Sequence, residues 1–231
     1  LDLSKIPLIA TERGEDDPIV IGGGPCSYNP EPIADFFDIF YMGEGEVSYD
    51  ALLELYKVYK HSDMTREEFL IKVSNIPGLY VPELYEVTYK EDGTIASFAP
   101  RFEDVPATIT KTVVMDHSKV TYPEKPVVSF MKLTQDRVVL EIQRGCIRGC
   151  RFCQAGMLYR PVRERNVERL KQYAHDMLQN TGHEEISLSS LSSSDYSDLA
   201  GIVNFLIDEF QEQNINIFLF RLFESMPSLL M

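Results

Sequence analysis

Apolar and polar positions in the C-terminal half of the chain alternate between two periods. Residues 138–142 (Val-Val-Leu-Glu-Ile) are apolar and β-branched, too short a run for a helix, and predict a buried strand. Val167, Leu170, Ala174, Met177 and Leu178 recur at helical spacing, with Asn166 as N-cap and Gly182 as C-cap. Residues 185–189 alternate polar and apolar and predict a second strand. Leu199, Val203, Leu206 and Phe210 predict a second helix, capped by Asp195 or a neighbouring serine, and residues 215–217 begin a third strand. Strand, helix, strand, helix, strand is the rhythm of a parallel sheet or barrel, whose active residues gather at the C-terminal ends of the strands.

The N-terminal half reads differently. Residues 18–21 predict a short buried strand, Gly22 to Pro25 a tight turn, Glu31 to Phe36 the start of a helix and residues 38–42 the next strand. Gly43 and Gly45 break that strand before a helix over 47–61, with Tyr49, Leu52, Leu53, Tyr56 and Tyr59 near one face. These elements suggest half of a doubly wound α/β domain. Thr65 and Glu68 form a capping box for a helix within 63–75, and residues 76–82 read as extended. Asp92-Gly93 supplies the turn of a hairpin between 84–90 and 94–98. Residues 99–136 show little periodicity and carry Pro100, Pro106, Pro123 and Pro126, so they predict a draped linker with one strand at 110–115. The expected division is 1–61, a linker region 62–135 containing the hairpin, and 136–231.

At 231 residues, with 44% apolar and 25% charged positions, the composition is that of an ordinary globular protein. A membrane span needs about eighteen consecutive apolar residues, and no such run occurs; the N-terminus lacks the basic and apolar segments of a signal peptide. A cytoplasmic location, without membrane association, is the resulting expectation. The net charge of -14 argues against general affinity for nucleic acid. Between Arg144 and Lys171, however, eight basic residues face only Glu164 and Glu168. That excess suits either a positive field around an anionic ligand or a solvated, ion-paired helix face.

The first strand of the C-terminal half runs through Gln143-Arg144-Gly145 into Cys146, Cys150 and Cys153, spaced Cys-x3-Cys-x2-Cys. Gly145 and Gly149 would let the backbone curl so that the three sulfurs face one centre. A structural zinc site would need a fourth ligand, from His175 or His183, and a closed ferredoxin cluster a fourth cysteine. A disulfide would strand one thiol. A [4Fe-4S] cluster on three thiolates leaves one iron open to a ligand. Cys26 has no partner in this scheme, and the lone His117 reads as a surface or hydrogen-bonded residue rather than a ligand.

With Phe152 before the last cysteine, the motif resembles the Cys-x3-Cys-x-aromatic-Cys signature of the radical S-adenosylmethionine (SAM) superfamily. The resemblance implies that Cys146, Cys150 and Cys153 hold a [4Fe-4S] cluster whose open iron is chelated by SAM. One electron, supplied by a flavodoxin or ferredoxin, would then cleave SAM to a 5′-deoxyadenosyl radical. It implies further that Phe152 packs beside the cluster, that Gln154, Ala155 and Gly156 line the approach, and that Arg144 and Arg148 tune its potential. Where the family carries a Gly-Gly-Glu motif for the methionine amino group, this chain has Ser189, Ser190, Ser192, Ser193 and Asp195; these serines and Asp195 are assigned to SAM, or alternatively to helix capping.

Gly-Gly-Gly-Pro-Cys, Gly-Glu-Gly-Glu, Ile-Pro-Gly-Leu-Tyr-Val-Pro and Tyr-Arg-Pro-Val-Arg-Glu-Arg extend the likeness to a bacterial subfamily that joins a cobalamin-binding-like domain to the radical SAM domain. The implied fold is the C-terminal half of that doubly wound domain, followed by the first strands of a partial (β/α)6 TIM-like barrel. Cobalamin would belong to the former. The Asp-x-His-x-x-Gly motif that carries its cobalt-ligating histidine is absent from this sequence. Relatives include methylthiotransferases and methylases acting on RNA or small metabolites. From Ile217 to Met231 the likeness fails, and codons for these residues can be chosen that, displaced by one frame, spell the family-like Ser-Leu-Pro-Ser-Leu-Arg. A frameshift just before Phe218, leaving a truncated chain, is the expectation; resequencing the gene there checks it.

Overall fold

The computed structural model describes residues 1–219; of the atypical stretch 217–231, the part from residue 220 on lies outside the described residues. The chain divides into two compact units, Leu1–Val114 and Met115–Met231. One division between Val114 and Met115 thus stands where the sequence suggested boundaries at 61/62 and 135/136. The reason is burial: Phe69, Leu70 and Val73 complete the same core as residues 39–41, and Tyr85 of the hairpin joins them, whereas Tyr122 packs on the second core.

In the first unit, β1 (Ile21–Gly22) pairs in parallel with β2 (Ile39–Tyr41). Helices α1 (Tyr49–Lys60) and α2 (Arg66–Ser74) follow. The chain then returns as β3 (Leu79–Tyr80), antiparallel to β2, and the hairpin β4 (Tyr85–Tyr89) and β5 (Ile95–Pro100). The expected helix at Glu31–Phe36 is a 3-10 segment, with proline at its start. On α1 the covered positions are Leu52 and Tyr59, with Leu55 and Tyr56 half-buried between them, at the i, i+3, i+4, i+7 spacing of one face. Tyr49 and Leu53, expected on that face, are exposed. The capping box at Thr65 and Glu68 forms in both directions. The strand expected at 110–115 shrinks to a single bridge between Gly43 and Thr112: Gly43 turns with φ +117°, and any Cβ there would collide with the Thr112 backbone.

Beneath β2 lies a charge network that the sequence did not suggest. Asp38, buried with its side chain 1% exposed, accepts from Arg13 Nη1 (2.8 Å), Arg66 Nη2 (2.9 Å) and the Val20 amide (2.7 Å). The two guanidinium groups spend further donors on the carbonyls of Pro7, Leu8, Gly14, Asp17, Pro18 and Phe36. One carboxylate therefore ties the N-terminal segment, the second strand and α2 together.

The second unit is built on a parallel sheet. β6 (Val138–Glu141) is followed by the short β7 (Gln143–Arg144), the four-residue α3 (Ala155–Leu158), β8 (Arg163–Glu164) and α4 (Val167–Thr181). Then come β9 (Glu185–Ser189), α5 (Leu199–Phe210) and β10 (Asn216–Leu219). The sheet order is β10-β9-β6, each strand beside its predecessor, as βα repeats require. The register aligns Val138 with Ile186 and Leu140 with Leu188, and Ile217 with Ile186. These residues share the face covered by Leu170, Ala174 and Met177 of α4 and Ile202, Leu206 and Phe210 of α5. Burying each such side chain contributes about 2 kcal/mol. Because side chains alternate, Val139, Glu141, Ser187, Ser189 and Phe218 occupy the other face, which is therefore the more polar one. Asn166 caps α4 by accepting from Glu168 N, and Gly182 ends it with φ +69°, as the sequence indicated. Asp198, not Asp195 or a serine, caps α5, accepting from Gly201 N at 3.1 Å.

Candidate cluster-binding site

Two loops leave the C-terminal edge of this sheet. The first follows β6 and β7 and carries the three cysteines. Its opening depends on Gly145, whose φ is +86°; a Cβ there would meet Tyr159 O at 2.5 Å and Pro161 O at 2.7 Å, so the loop's two ends touch backbone to backbone. Gly149, expected to help the curl, does not take a positive φ. β7 pairs antiparallel with β8 and closes the base of the loop. Gly156 on α3 lies against the carbonyl of Arg148, where a Cβ would come within 3.0 Å.

No cysteine is in a disulfide; Cys146 and Cys153 are half-buried and Cys150 exposed. The Arg148 amide lies 3.4 Å from Cys146 Sγ, and Cys153 N donates to Cys150 O at 3.1 Å in a tight turn. Among the described residues, no three His, Cys, Asp or Glu side chains converge as a metal site, so the thiols share one loop but stand apart. As a donor set they suit a thiophilic cluster with three protein ligands: three free, soft thiols within one loop. The histidines considered as a fourth ligand are engaged elsewhere. His175 faces Glu209 at 3.5 Å and the rings of Phe205 and Phe210, and His183 faces Asp136 at 3.5 Å. Phe152 is 83% exposed, Gln154 precedes α3 and is exposed, and Gly156 is buried.

The second loop follows β9 and holds the serine run. Ser190 Oγ is 3.0 Å from Ser193 Oγ and accepts from Ser192 N, and Ser192 Oγ donates to Asp195 Oδ2 at 2.6 Å. The fold joins this loop to the cysteine loop. Arg148 donates from Nε to Asp195 Oδ2 at 2.8 Å and from Nη2 to Oδ1, a forked ion pair. Gln143, 2% exposed, donates from Nε2 to Ser192 O at 2.6 Å. Hydrogen bonds from Arg148, joined by Ser192, hold the Asp195 carboxyl below its ordinary pKa. The Arg148 pKa rises, chiefly through the hydrogen bonds to and charge of Asp195, and also through Cys146 and Cys150, whose field its guanidinium shares. Sequence reasoning named both loops but missed this pair, because residues 148 and 195 are linked only through the sheet.

Much of the local basic excess is consumed internally. Glu141, at the end of β6, accepts from Arg144 Nε at 2.8 Å and Nη2 at 3.1 Å, and lies 3.3 Å from His117 Nε2 and 3.6 Å from Arg165 Nη2. Arg165 is fully buried against the rings of Tyr122 and Tyr173, which also pack on each other at 5.2 Å. The Tyr122 hydroxyl donates to Val139 O and accepts from Glu141 N, covering the edge of β6. Burial raises the Glu141 pKa, but hydrogen bonds from His117 and Arg144 and the charge of Arg144 outweigh it, bringing the carboxyl down to about 2 from 4.5. A depressed folded-state pKa stabilises the fold above about 4.5 and is lost as pH falls toward about 2, worth at most about 3 kcal/mol. Urea titrations across that window should show the wild-type chain losing stability that Glu141→Gln has already lost; equal slopes would remove Glu141 as the source.

Two family models match the chain, "Radical SAM proteins, N-terminal" over residues 1–82 and "Radical SAM superfamily" over residues 140–221. Residues 140–221, which hold the cysteine motif, thus match the radical SAM superfamily that the motif resembles, and residues 1–82 match its N-terminal model. A relative, "Uncharacterized protein MJ0966" of Methanocaldococcus jannaschii, is 28% identical over 197 residues, 85% of this chain and 36% of its own length. The chain thus spans about a third of that relative. Among solved structures, the cobalamin-dependent SAM radical enzyme OxsB, with aqua-cobalamin and SAM bound, aligns with a TM-score of 0.47 and 16% identity, over 87% of this chain and 25% of its own. The radical SAM methyltransferase TsrM of Kitasatospora setae, with cobalamin and a [4Fe-4S] cluster, aligns with a TM-score of 0.45 and 14% identity, over 87% and 37%. The ligands named are those of the two enzymes. The architecture here is α/β, with a three-stranded parallel sheet as its second-unit core. No helix among the described residues is long and apolar enough to cross a membrane.

Proposed function

We propose that the chain is part of a radical SAM enzyme in which Cys146, Cys150 and Cys153 carry a [4Fe-4S] cluster and SAM binds between the cysteine loop and the serine loop. The observation that carries this reading is the Arg148–Asp195 ion pair, which brings the two loops together at the C-terminal edge of the sheet. When bound, the cluster supplies the single electron that cleaves the sulfonium of SAM to a 5′-deoxyadenosyl radical. The residues of the chain do the rest. Gly145 turns the loop back on the sheet, and three thiols provide the ligands. Ser190 and Ser192 offer hydroxyls to the polar end of SAM, Asp195 fixes their loop, and Gln154 and Gly156 border the approach. Phe152, exposed on the cysteine loop, supplies an apolar face beside the cluster. A flavodoxin or ferredoxin fits the role of electron donor, and an RNA or small metabolite that of substrate. For the first unit, a cobalamin role would rest on the glycine turn at 22–24, where Gly23 and Gly24 have open space around them.

Anaerobic reconstitution should load about four iron and four sulfide per chain, and Cys150→Ala should lose most of both. Reduction with SAM present should release 5′-deoxyadenosine from the wild-type chain and none from the variant. One zinc and no iron or sulfide per chain would overturn the reading in favour of a metal-binding module.

A further inference from the structure

Arg148 is the middle residue of the arm between Cys146 and Cys150, and its neighbours are weakly held. Ile147 is 63% exposed, and nothing lies within 4 Å of where a Gly149 Cβ would be. Residue 148, by contrast, is gripped at its side chain by Asp195, at its amide by Cys146 Sγ and at its carbonyl by the close approach of Gly156. The two members of the ion pair differ in burial: the Asp195 side chain is 10% exposed and that of Arg148 59%. The carboxylate is the fixed member. It sits in the 3-10 segment Ser193–Asp195, receives the Ser192 hydroxyl, and its loop is anchored to the sheet through Gln143.

We propose that Asp195 is a positioning residue for the cluster loop: it acts through Arg148 to hold the Cys146–Cys150 arm in place, and so governs how long a bound cluster is retained. The inference rests on the functional reading above for its cluster, but not for its effect on the loop. An arm tethered at one residue opens by breaking that tether. Once the ion pair is gone, the backbone around Arg148 and Arg151, whose side chains are already exposed, opens more readily into a protease site, and the sulfurs on either side of Arg148 can leave the metal independently.

The test compares Asp195→Asn, nearly the same in shape but uncharged, with Asp195→Glu, which keeps the charge. Without metal, trypsin cleavage after Arg148 and Arg151 should quicken about three- to tenfold in Asp195→Asn, the range expected for loss of one solvent-facing ion pair, and recover in Asp195→Glu. In reconstituted protein, iron release to a chelator should quicken in the same order, while the thermal unfolding midpoint stays at the wild-type value. Unchanged cleavage in Asp195→Asn, or faster cleavage that merely follows a fall in the midpoint, overturns the proposal. A wild-type chain that takes up no iron overturns the functional reading instead, and the cleavage rates then still decide whether Asp195 holds the arm.

Discussion

Asp38→Asn is expected to destabilise the first unit by about 3–5 kcal/mol, the cost of leaving buried charges without their partner. Both Asp38 oxygens are in use, and the Arg13 and Arg66 side chains that they neutralise are 0% and 9% exposed. Asparagine keeps the shape but offers one acceptor instead of two and no charge, so two guanidinium groups remain in the interior against an amide. A globular domain holds about 5–15 kcal/mol in total, so this one change can consume much of the unit's stability. Urea unfolding with hydrogen exchange over residues 1–114 measures it; a loss under about 1 kcal/mol would show that the backbone carbonyls alone satisfy the two arginines.

Gly145→Ala should be the most damaging single-atom addition in the second unit. At φ +86° an L-residue costs about 1 kcal/mol, and the new methyl would meet two carbonyl oxygens, of Tyr159 and Pro161, at 2.5 and 2.7 Å. Neither carbonyl belongs to a flexible side chain end, so β7 and β8 must separate. A total of about 2–4 kcal/mol is expected, with a several-fold loss of iron on reconstitution, because the cysteine arm begins at the next residue. The control is Gly149→Ala, which has open space and no positive φ and should load iron as the wild type does. Equal behaviour of the two variants would mean that the Gly145 turn does not set the loop.

Particular elements show how far the sequence could be read. The strand at residues 185–189 was legible because polar and apolar positions alternate there, and α4 because its stripe is bracketed by Asn166 and Gly182. The capping box at Thr65 is equally local. Misreadings arose where distant residues choose between local options. Leu53 fits an apolar face by type but points outward, since the α1 face is centred on Leu52 and Tyr56. Asp195 fits a helix cap by position, but Arg148 takes both its oxygens and Asp198 caps the helix instead. The strand expected at 110–115 had the right residues and lacked a partner strand beyond Gly43.

By itself the sequence determined where the candidate site lies in the chain: three thiols in one loop, just past a buried strand, within a strand-helix repeat. Spacing and residue type are local properties, and the donor set on offer and the strand period follow from them. Tertiary structure alone decided which side chains oppose one another. The forked pair of Arg148 and Asp195, the Gln143 anchor and the two arginines on Asp38 join residues 25 to 49 positions apart. Such pairings leave no periodic trace, because a buried charge is tolerated only after folding has delivered its partner.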